Sequence, residues 1–359
     1  MAKKYLLAGI AKNEAAYLPE WIFYHLRLGI DSILIYVNDT DDNTCEILDK
    51  IGRNHPVEYC VVDGIADSDT AAWRKIVSNP VFYDTQPLQS KSYARILHEN
   101  KAAYDCILLL DLDEFLLERT VRLRELIDSQ PGSGVFYFKW FNVAGEEMPF
   151  QPLTTCTQGS YRPVQKYLIN TAFPEQTLQS AHEVDTGETC SDWNDLRRIG
   201  ASRQEDSIVI VHRFQRSLPE YLALLSKGDR SESAVIDGFK YNRDGWSQSS
   251  KDTMVYSGEL FADYEQSYGS FLSSNGLEDD LKQAQAFVMQ QSSRVRNRIE
   301  SIKTLNRLLT RSLRGTNLRH QESMLLERIK LALPKAILRI LSSVKQFMKR
   351  FVCEKPGRI

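Results

Sequence analysis

Two aspartates, Asp111 and Asp113, are the residues whose types and spacing point most directly to chemistry. They follow the apolar run CILLL, which is typical of a buried strand. Residues two positions apart on an extended chain point to the same side, so both carboxylates can share one divalent cation at the strand end. Such a cation neutralises the charge that a diphosphate leaving group develops. The pair therefore predicts a metal site for a phosphate-bearing ligand.

Two further polar loops are expected near these aspartates. Lys12, Asn13 and Glu14 follow the apolar run YLLAGIA, and Asp39 follows the run SILIYV. Ligands of parallel sheets bind at the carboxyl ends of the strands, so the three loops should meet at one edge. From that edge, these four residues would contact the base and ribose of a nucleotide. A helix cap at Asn13 and a turn at Asp39 are the alternative explanations.

The elements that must position these loops alternate between strand and helix. Apolar runs typical of buried strands are separated by segments whose apolar residues recur at helical spacing. The predicted strands are 5–11, 32–37, 57–62 and 106–110, and the predicted helices are 14–28, 42–51 and 89–103. This alternation indicates an α/β fold with a mainly parallel sheet that helices cover on both faces.

The pattern changes after the first half of the chain. Apolar and aromatic runs with longer loops between them predict further strands, a polar segment containing three glycines predicts a loop, and the rest is predicted to be helical. The predicted strands are 134–143, 161–169 and 207–211. The predicted loop is 228–250, and the residues beyond 277 are predicted to be helical. We therefore divide the chain into a nucleotide-binding half (1–115), an acceptor-binding half (116–275) and a helical extension (276–359).

Composition narrows the class of protein. The formal net charge of -2 provides no field that favours nucleic acid. No stretch approaches the roughly 18 apolar residues of a membrane span, and the N-terminus does not read as a signal peptide, so a cytoplasmic location is expected. Residues 335–352 predict a basic amphipathic helix that could lie on the anionic inner face of the cell membrane. A packed terminal helix or a contact within a homo-oligomer would explain the same pattern.

Two segments resemble a known family. Residues 12–41 (KNEAAYLPEWIFYHLRLGIDSILIYVNDTD) and the motif DLDEF at 111–115 resemble glycosyltransferase family 92 and its bacterial relatives in the family-2-like clan. Their pattern is K-N-E, then E-W, then Y-H, then a strand ending in N-x-S-x-D, and later D-x-D-E-F. Thr40 stands where serine is usual. Lys166, His182 and the stretch 212–228 resemble later elements of the same families.

The resemblance implies a GT-A fold, a nucleotide-sugar donor, a Mn²⁺ or Mg²⁺ ion and inversion at the anomeric carbon. Asp111 and Asp113 would be metal ligands, and Asp111 would also lie against the donor. His212 matches the late histidine that completes the metal site in many GT-A enzymes. A hydrogen-bonded strand histidine is the alternative explanation.

Three basic residues are candidates for contact with the diphosphate. Lys91 and Arg95 lie one turn apart on the helix that precedes the aspartates, and Lys166 would approach from the other side. For the two helical residues, a solvated helix face explains the pattern equally well.

Direct displacement by a sugar hydroxyl needs a general base near the anomeric carbon. The polar segment AHEVDTGETCSDWND supplies the candidates. Glu183 and Asp192 lead because carboxylates usually serve as the base in inverting GT-A enzymes, and His182 is the third candidate. The sequence does not choose between them.

The predicted function is transfer of a hexose from a UDP-sugar to a hydroxyl of a glycan or glycolipid, such as lipopolysaccharide or capsule, with galactose suggested by the resemblance. Two alternatives stay open. A sugar-phosphate nucleotidyltransferase also combines a doubly wound sheet with acidic metal ligands, but it typically has a glycine-rich basic loop after the first strand, where this chain has GIAKN. A non-catalytic carbohydrate-binding protein is the second alternative.

Overall fold

The computed structural model describes residues 3–62, 88–153, 156–172, 177–185, 201–203, 207–227, 239–240, 243–256, 260–301, 307–316 and 318. Within these segments the strands are β1 (Tyr5–Ala11), β2 (Ser32–Val37), β3 (Val57–Val61), β4 (Cys106–Leu109), β5 (Glu114–Glu118), β6 (Val135–Val143), β7 (Cys156–Asn170), β8 (Thr177–Ser180), β9 (Glu183–Asp185), β10 (Ala201–Arg203), β11 (Ile208–His212) and β12 (Asp252–Val255). The helices are α1 (Leu18–Leu28), α2 (Thr44–Gly52), α3 (Leu88–Asn100), α4 (Leu123–Ser129), α5 (Leu218–Leu225), α6 (Tyr264–Ser274), α7 (Glu278–Ser301) and α8 (Arg307–Ser312).

Ten strands form one sheet that carries the candidate site. Its order is β3-β2-β1-β4-β7-β6-β11-β5, with β10 paired to β6 and β12 paired to β7. Strands β3, β2, β1 and β4 are parallel to one another, whereas β7 is antiparallel to both β4 and β6. The α/β class and the mainly parallel sheet flanked by helices are therefore confirmed.

Strands β1, β2 and β4 are apolar because helices cover both of their faces. Every residue of β4 is buried, and six of the seven residues of β1 are buried. One face packs against α1 and α2 through residues such as Trp21 and Leu48, and the other packs against α3 through residues such as Tyr93. A strand buried on both faces shows a continuous apolar run, the pattern that predicted these strands.

Helix α1 begins at Leu18, four residues later than predicted. The backbone N–H groups of Tyr17 and Leu18 donate to the carbonyl oxygen of Glu14 at 2.9 and 3.0 Å, so residues 14–17 form a turn. The helix ends at Gly29, whose φ of 96° is the left-handed conformation that glycine adopts without strain. Glu14 therefore belongs to the loop at the carboxyl end of β1 rather than to a helix.

Strand β5 was not predicted, because its sequence EFLLE runs on directly from the aspartate motif. It pairs antiparallel with β11, and this register places His212 opposite Glu114. The chain reverses between β4 and β5, so β5 returns along the sheet instead of continuing into a loop. This pairing brings His212 to the end of the motif.

Of the helical structure predicted beyond residue 277, the described segments contain α7 and α8, and α7 joins two distant parts of the fold. Near its start, the backbone carbonyl of Asp280 accepts a 3.0 Å hydrogen bond from the Asn43 side chain, beside the start of α2. Further along, Val295 and Ile299 pack with residues of α5 such as Tyr221. The predicted loop 228–250 lies partly outside the described residues and the segment 335–352 wholly outside them. Among the described helices, none is long and apolar enough to cross a bilayer.

His25 is a buried histidine that serves the fold. Its Nδ1 lies 2.8 Å from the carbonyl oxygen of Trp21, and its Nε2 lies 3.4 Å from the backbone nitrogen of Leu116. Burial lowers the pKa of His25 to about 3. The ring therefore stays neutral in the folded protein, donating from Nδ1 and accepting at Nε2.

Acid should destabilise the protein partly through His25. In the unfolded chain this histidine takes up a proton near pH 6.5, whereas the folded protein does not protonate it until about pH 3. The unfolded state thus binds more protons in this window, and stability falls as the pH falls through it, by on the order of 4 kcal/mol for this group. We expect His25→Gln to flatten the pH dependence of the urea-unfolding free energy between pH 7 and 4. A slope as steep as that of the wild type and of the control His98→Gln would contradict this assignment.

Candidate active site

The two aspartates of the motif do not lie on an extended chain as predicted. The backbone nitrogen of Glu114 donates to the carbonyl oxygen of Asp111 at 3.0 Å, which closes a turn through Leu112 and Asp113. Because the chain turns between them, the two carboxylates face different partners. The prediction that both point the same way is therefore wrong.

Asp111 faces a buried lysine. Its Oδ1 accepts hydrogen bonds from the hydroxyl of Tyr93, at 3.1 Å, and from the amide of Gln89, and lies 3.2 Å from Nζ of Lys166. The same ammonium is 3.4 Å from Oε2 of Glu114, and the side chains of Lys166 and Glu114 are both 0% exposed. Burial alone would lower the pKa of Lys166, but the two carboxylates outweigh it and raise that pKa. Burial raises the pKa of Glu114 well above its usual value, although Lys166 opposes the shift.

Asp113 faces His212 instead. Asp113 Oδ1 and His212 Nε2 are 3.5 Å apart, and His212 Nδ1 lies 3.2 Å from the side-chain oxygen of Asn142 on β6. His212 therefore lies between Asp113 on its Nε2 side and Asn142 on its Nδ1 side. Burial favours a higher pKa for Asp113, but the nearby charges of His212 and Arg216 outweigh it and hold that pKa well below its usual range. Asp113 is therefore an ionised carboxylate beside the imidazole of His212.

The Asp113–His212 pair fits a divalent cation, provided that the substrate completes the coordination. No group of three His, Cys, Asp or Glu side chains within the described segments is arranged to hold a metal ion by itself. Mg²⁺ typically takes one or two carboxylates together with substrate phosphates and waters, and Mn²⁺ prefers carboxylate and water ligands in the same way. A hydrogen bond to the second nitrogen of a ligating histidine, such as that between His212 and Asn142, is the usual way to orient it. In this structure Asp111 contacts Lys166 rather than joining the pair.

The loops at the ends of β1 and β2 are joined to each other, as their shared edge predicts. Lys12 forms an ion pair with Asp39. The backbone nitrogen of Asn13 donates to Thr40 Oγ1 at 2.9 Å, and the Asn13 side-chain oxygen accepts from the backbone nitrogen of Asp41 at 2.7 Å. Asn13 and Asp39 have φ values of 54° and 45°. Non-glycine residues held in this strained region cluster at ligand sites, which agrees with a binding role for these loops.

Glu14 turns away from the Asp39 loop toward two cations that the sequence analysis did not single out. Its Oε1 is 2.5 Å from Lys227 Nζ, and its Oε2 is 3.6 Å from Arg216 Nη1. The Arg216 guanidinium stacks on the ring of Tyr17 at 3.3 Å and lies 3.5 Å from the carbonyl oxygen of Leu112, within the aspartate turn. Both cations belong to the stretch 212–228 that resembles the family. That resemblance is the sequence signal that could have identified them.

His182 lies in the same neighbourhood. Its ring is 5.1 Å from the ring of Trp140, which is in turn 4.1 Å from that of His212. His182 Nδ1 lies 3.1 Å from the carbonyl oxygen of Gln165, which fixes the proton on Nδ1 and makes Nε2 the acceptor. Burial, with help from the charge of Lys166, lowers the pKa of His182 to about 4. The ring is therefore neutral near pH 7.

Two of the remaining predicted site residues lie on α3, and the side chains of two others lie outside the described part of the chain. Arg95 pairs with Glu99 one turn further along α3, at 2.8 Å, so its charge is matched within its own helix. Lys91 lies half-buried on the same helix. Asp192 and the side chain of Glu183 lie outside the described residues. Lys166, the third predicted diphosphate contact, lies against the aspartate motif.

Comparison with known proteins yields weak structural similarities. No family model matches the chain, and no curated protein matches it. Staphylococcus aureus TarS 1–349 in complex with UDP is 14% identical over 47% of this chain and 47% of that chain, with a TM-score of 0.30. Glucosyl-3-phosphoglycerate synthase from Mycobacterium tuberculosis, in complex with Mn²⁺, UDP and glucosyl-3-phosphoglycerate, is 12% identical over 59% of this chain and 72% of that chain, with a TM-score of 0.29. HddC from Yersinia pseudotuberculosis is 10% identical over 50% of this chain and 83% of that chain, with a TM-score of 0.27.

This chain therefore spans about half the length of the first of these structures. Similarities at this level do not assign an activity. The resemblance to glycosyltransferase family 92 likewise stays an expectation, because no family model matches.

Proposed function

We propose that this protein is a metal-dependent glycosyltransferase that moves a sugar from a nucleoside diphosphate sugar to a hydroxyl group. The observation that carries the proposal is the contact between Asp113 and His212, whose Oδ1 and Nε2 atoms are 3.5 Å apart. Asp113 follows a strand of the parallel part of the sheet, on the edge where the loops after β1 and β2 also meet. This is the edge at which open parallel sheets bind nucleotides.

The residues of this edge divide the binding task between them. Asp113 and His212 would hold Mn²⁺ or Mg²⁺, which when bound neutralises the diphosphate leaving group. Lys12, Asn13 and Asp39 would hold the base and ribose from the joined loops. The buried ammonium of Lys166 balances the negative charge of Asp111 and Glu114, so the motif stays rigid while substrate binds.

The finer identity of the reaction follows from the sequence resemblance. It supports UDP as the nucleotide, inversion as the stereochemical course, and a glycan or glycolipid as the acceptor, with galactose as the first sugar to test. A glycolipid acceptor would suit a basic segment such as 335–352 at an anionic membrane surface.

The general base is proposed to come from the segment that follows β8. His182 is neutral and presents Nε2 as an acceptor, beside the ring that also contacts His212. Its pKa of about 4 makes it no stronger a base than an ordinary carboxylate, so Glu183 and Asp192 compete with it on equal terms. Reach to the acceptor hydroxyl, rather than basicity, decides among the three.

The reaction class is tested by measuring UDP release from a panel of UDP-sugars with Mn²⁺ and with EDTA. Because water can replace a missing acceptor slowly, we expect one UDP-sugar to be hydrolysed only when metal is present. A parallel assay with UTP and sugar 1-phosphates detects the nucleotidyltransferase alternative, which would release pyrophosphate. If no nucleotide sugar is bound or hydrolysed under any condition, the glycosyltransferase proposal fails.

A further inference from the structure

A cavity lies where the β1–α1 loop, α5 and α7 meet. Asn13 and Tyr17 line it from the loop, Arg216 and Lys227 from either end of α5, and Phe287 and Gln291 from α7. The helical extension thus forms one wall of a cavity that opens beside the nucleotide loops.

The Arg216 guanidinium stacks on the ring of Tyr17 and makes long contacts with two oxygen acceptors. Its side chain is 13% exposed, yet the Nη1 contact with Glu14 is 3.6 Å and the Nη2 contact with the Leu112 carbonyl is 3.5 Å. Hydrogen bonds to a guanidinium are normally 2.7–3.2 Å long, as is typical of N–H donors. Its φ of 49° adds backbone strain. Oxygen contacts this long leave N–H donors of Arg216 that a ligand oxygen can approach more closely.

Of the two carboxylates nearest the cavity, Glu14 pairs with both cations and Glu220 caps its own helix. Glu14 holds Lys227 through Oε1 at 2.5 Å, while its Oε2 is buried without a hydrogen-bond partner in the described part of the chain. Glu220 accepts from the backbone nitrogen and the hydroxyl of Ser217, at 3.0 and 2.6 Å, and so caps the start of α5. The carboxylate of Glu220 is therefore used by its own helix.

We propose that this cavity binds a phosphate group of the substrate, with Arg216 and Lys227 as its ligands and α7 as its outer wall. The inference rests on the proposed function, since it names further residues of the same substrate site. A guanidinium grips phosphate with paired N–H donors, and a lysine adds a point charge. Because Arg216 also reaches Leu112, the bound phosphate lies next to Asp113. The phosphate comes either from the donor diphosphate or from a phosphorylated acceptor.

The test uses the full chain and isothermal titration with inorganic pyrophosphate and with UDP, each in the presence of Mg²⁺. Arg216→Gln and Lys227→Gln remove the cations, and Gln291→Trp fills the cavity without touching them. Gln290→Trp is the matched control, because Gln290 is exposed on the same helix. We expect the first three variants to weaken pyrophosphate binding about ten- to a hundredfold, and the control to bind like the wild type.

A second titration identifies the source of the phosphate. If pyrophosphate competes with saturating UDP, the cavity takes the donor diphosphate, and if both bind together, it takes an acceptor phosphate. The inference is overturned if the wild type binds UDP while all three variants bind pyrophosphate and UDP like the wild type, or if the wild type binds no pyrophosphate. A wild type that binds pyrophosphate through these residues but no UDP-sugar would overturn the proposed function alone.

Discussion

Asp113→Asn should lower metal-dependent hydrolysis of the UDP-sugar by at least about a hundredfold, with the fold intact. The substitution keeps the size and hydrogen-bonding shape of the side chain and removes the charge that a cation needs. That charge is present across the ordinary pH range, because His212 and Arg216 hold the pKa of Asp113 well below its usual value despite burial. The measurement is the initial rate of UDP release over a Mn²⁺ titration, together with Mn²⁺ affinity from isothermal titration.

Three further variants make this result specific. Asp279→Asn is the matched control, since the Asp279 side chain is 97% exposed, and it should behave like the wild type. His212→Gln should weaken Mn²⁺ binding without abolishing it, because one ligand remains. Asp111→Asn should have the smaller effect of the two aspartate substitutions, because Asp111 contacts Lys166. If Asp113→Asn keeps the rate and metal response of the wild type, Asp113 is not a metal ligand.

Lys166→Met is expected to destabilise the protein by about 3–5 kcal/mol, the largest effect on folding among these variants. Lys166 is the cation that faces both Asp111 and Glu114, at 3.2 and 3.4 Å, in a place where Lys166 and Glu114 are fully buried. Methionine fills a similar volume but leaves two carboxyl groups with no positive charge between them. The measurement is urea unfolding followed by circular dichroism at pH 7.

A double variant separates charge from packing in this result. Lys166→Met with Glu114→Gln removes one of the two uncompensated carboxyl groups, so it should recover part of the lost stability. Lys251→Met, at an exposed position, is the control and should change stability little. If the single and double variants are equally destabilised, the loss comes from packing and not from the buried ion pairs.

The parallel half of the sheet could be predicted from sequence because its physical cause is local. Strands β1, β2 and β4 are covered on both faces, which leaves a continuous apolar run in each. The start of α1 was misplaced because residues 14–17 have acceptable helical spacing but are used in a turn that begins at Glu14. Periodicity indicates which residues are buried, but it does not indicate where a loop ends and a helix begins.

Only those residues of the candidate site that lie at the ends of strands could be predicted from the sequence. Asp113 and His212 each follow or end an apolar run, so both could be found, and pairing of β5 with β11 then brings them together. The contact of Glu14 with Lys227 spans 213 positions and depends on how α5 packs, which no local pattern encodes. The direction of the Asp111 carboxylate was missed for a related reason. It is determined by contact with Lys166, which lies on a strand more than fifty positions away in the sequence.

The contact between α2 and α7 has a consequence for the order in which the molecule is completed during its synthesis. Asn43 and Asp280 are 237 positions apart, so at about 5–20 residues per second the ribosome adds the second roughly 12–47 s after the first. During that interval the nascent chain can pair β1, β2 and β4. Helix α5 is made later in the same interval, and the apolar face that it shares with α7 stays open to chaperones until α7 follows. Asp113 is thus translated early, whereas His212, α5 and α7 are translated late, so a chain that ends before α7 lacks the outer wall of the cavity.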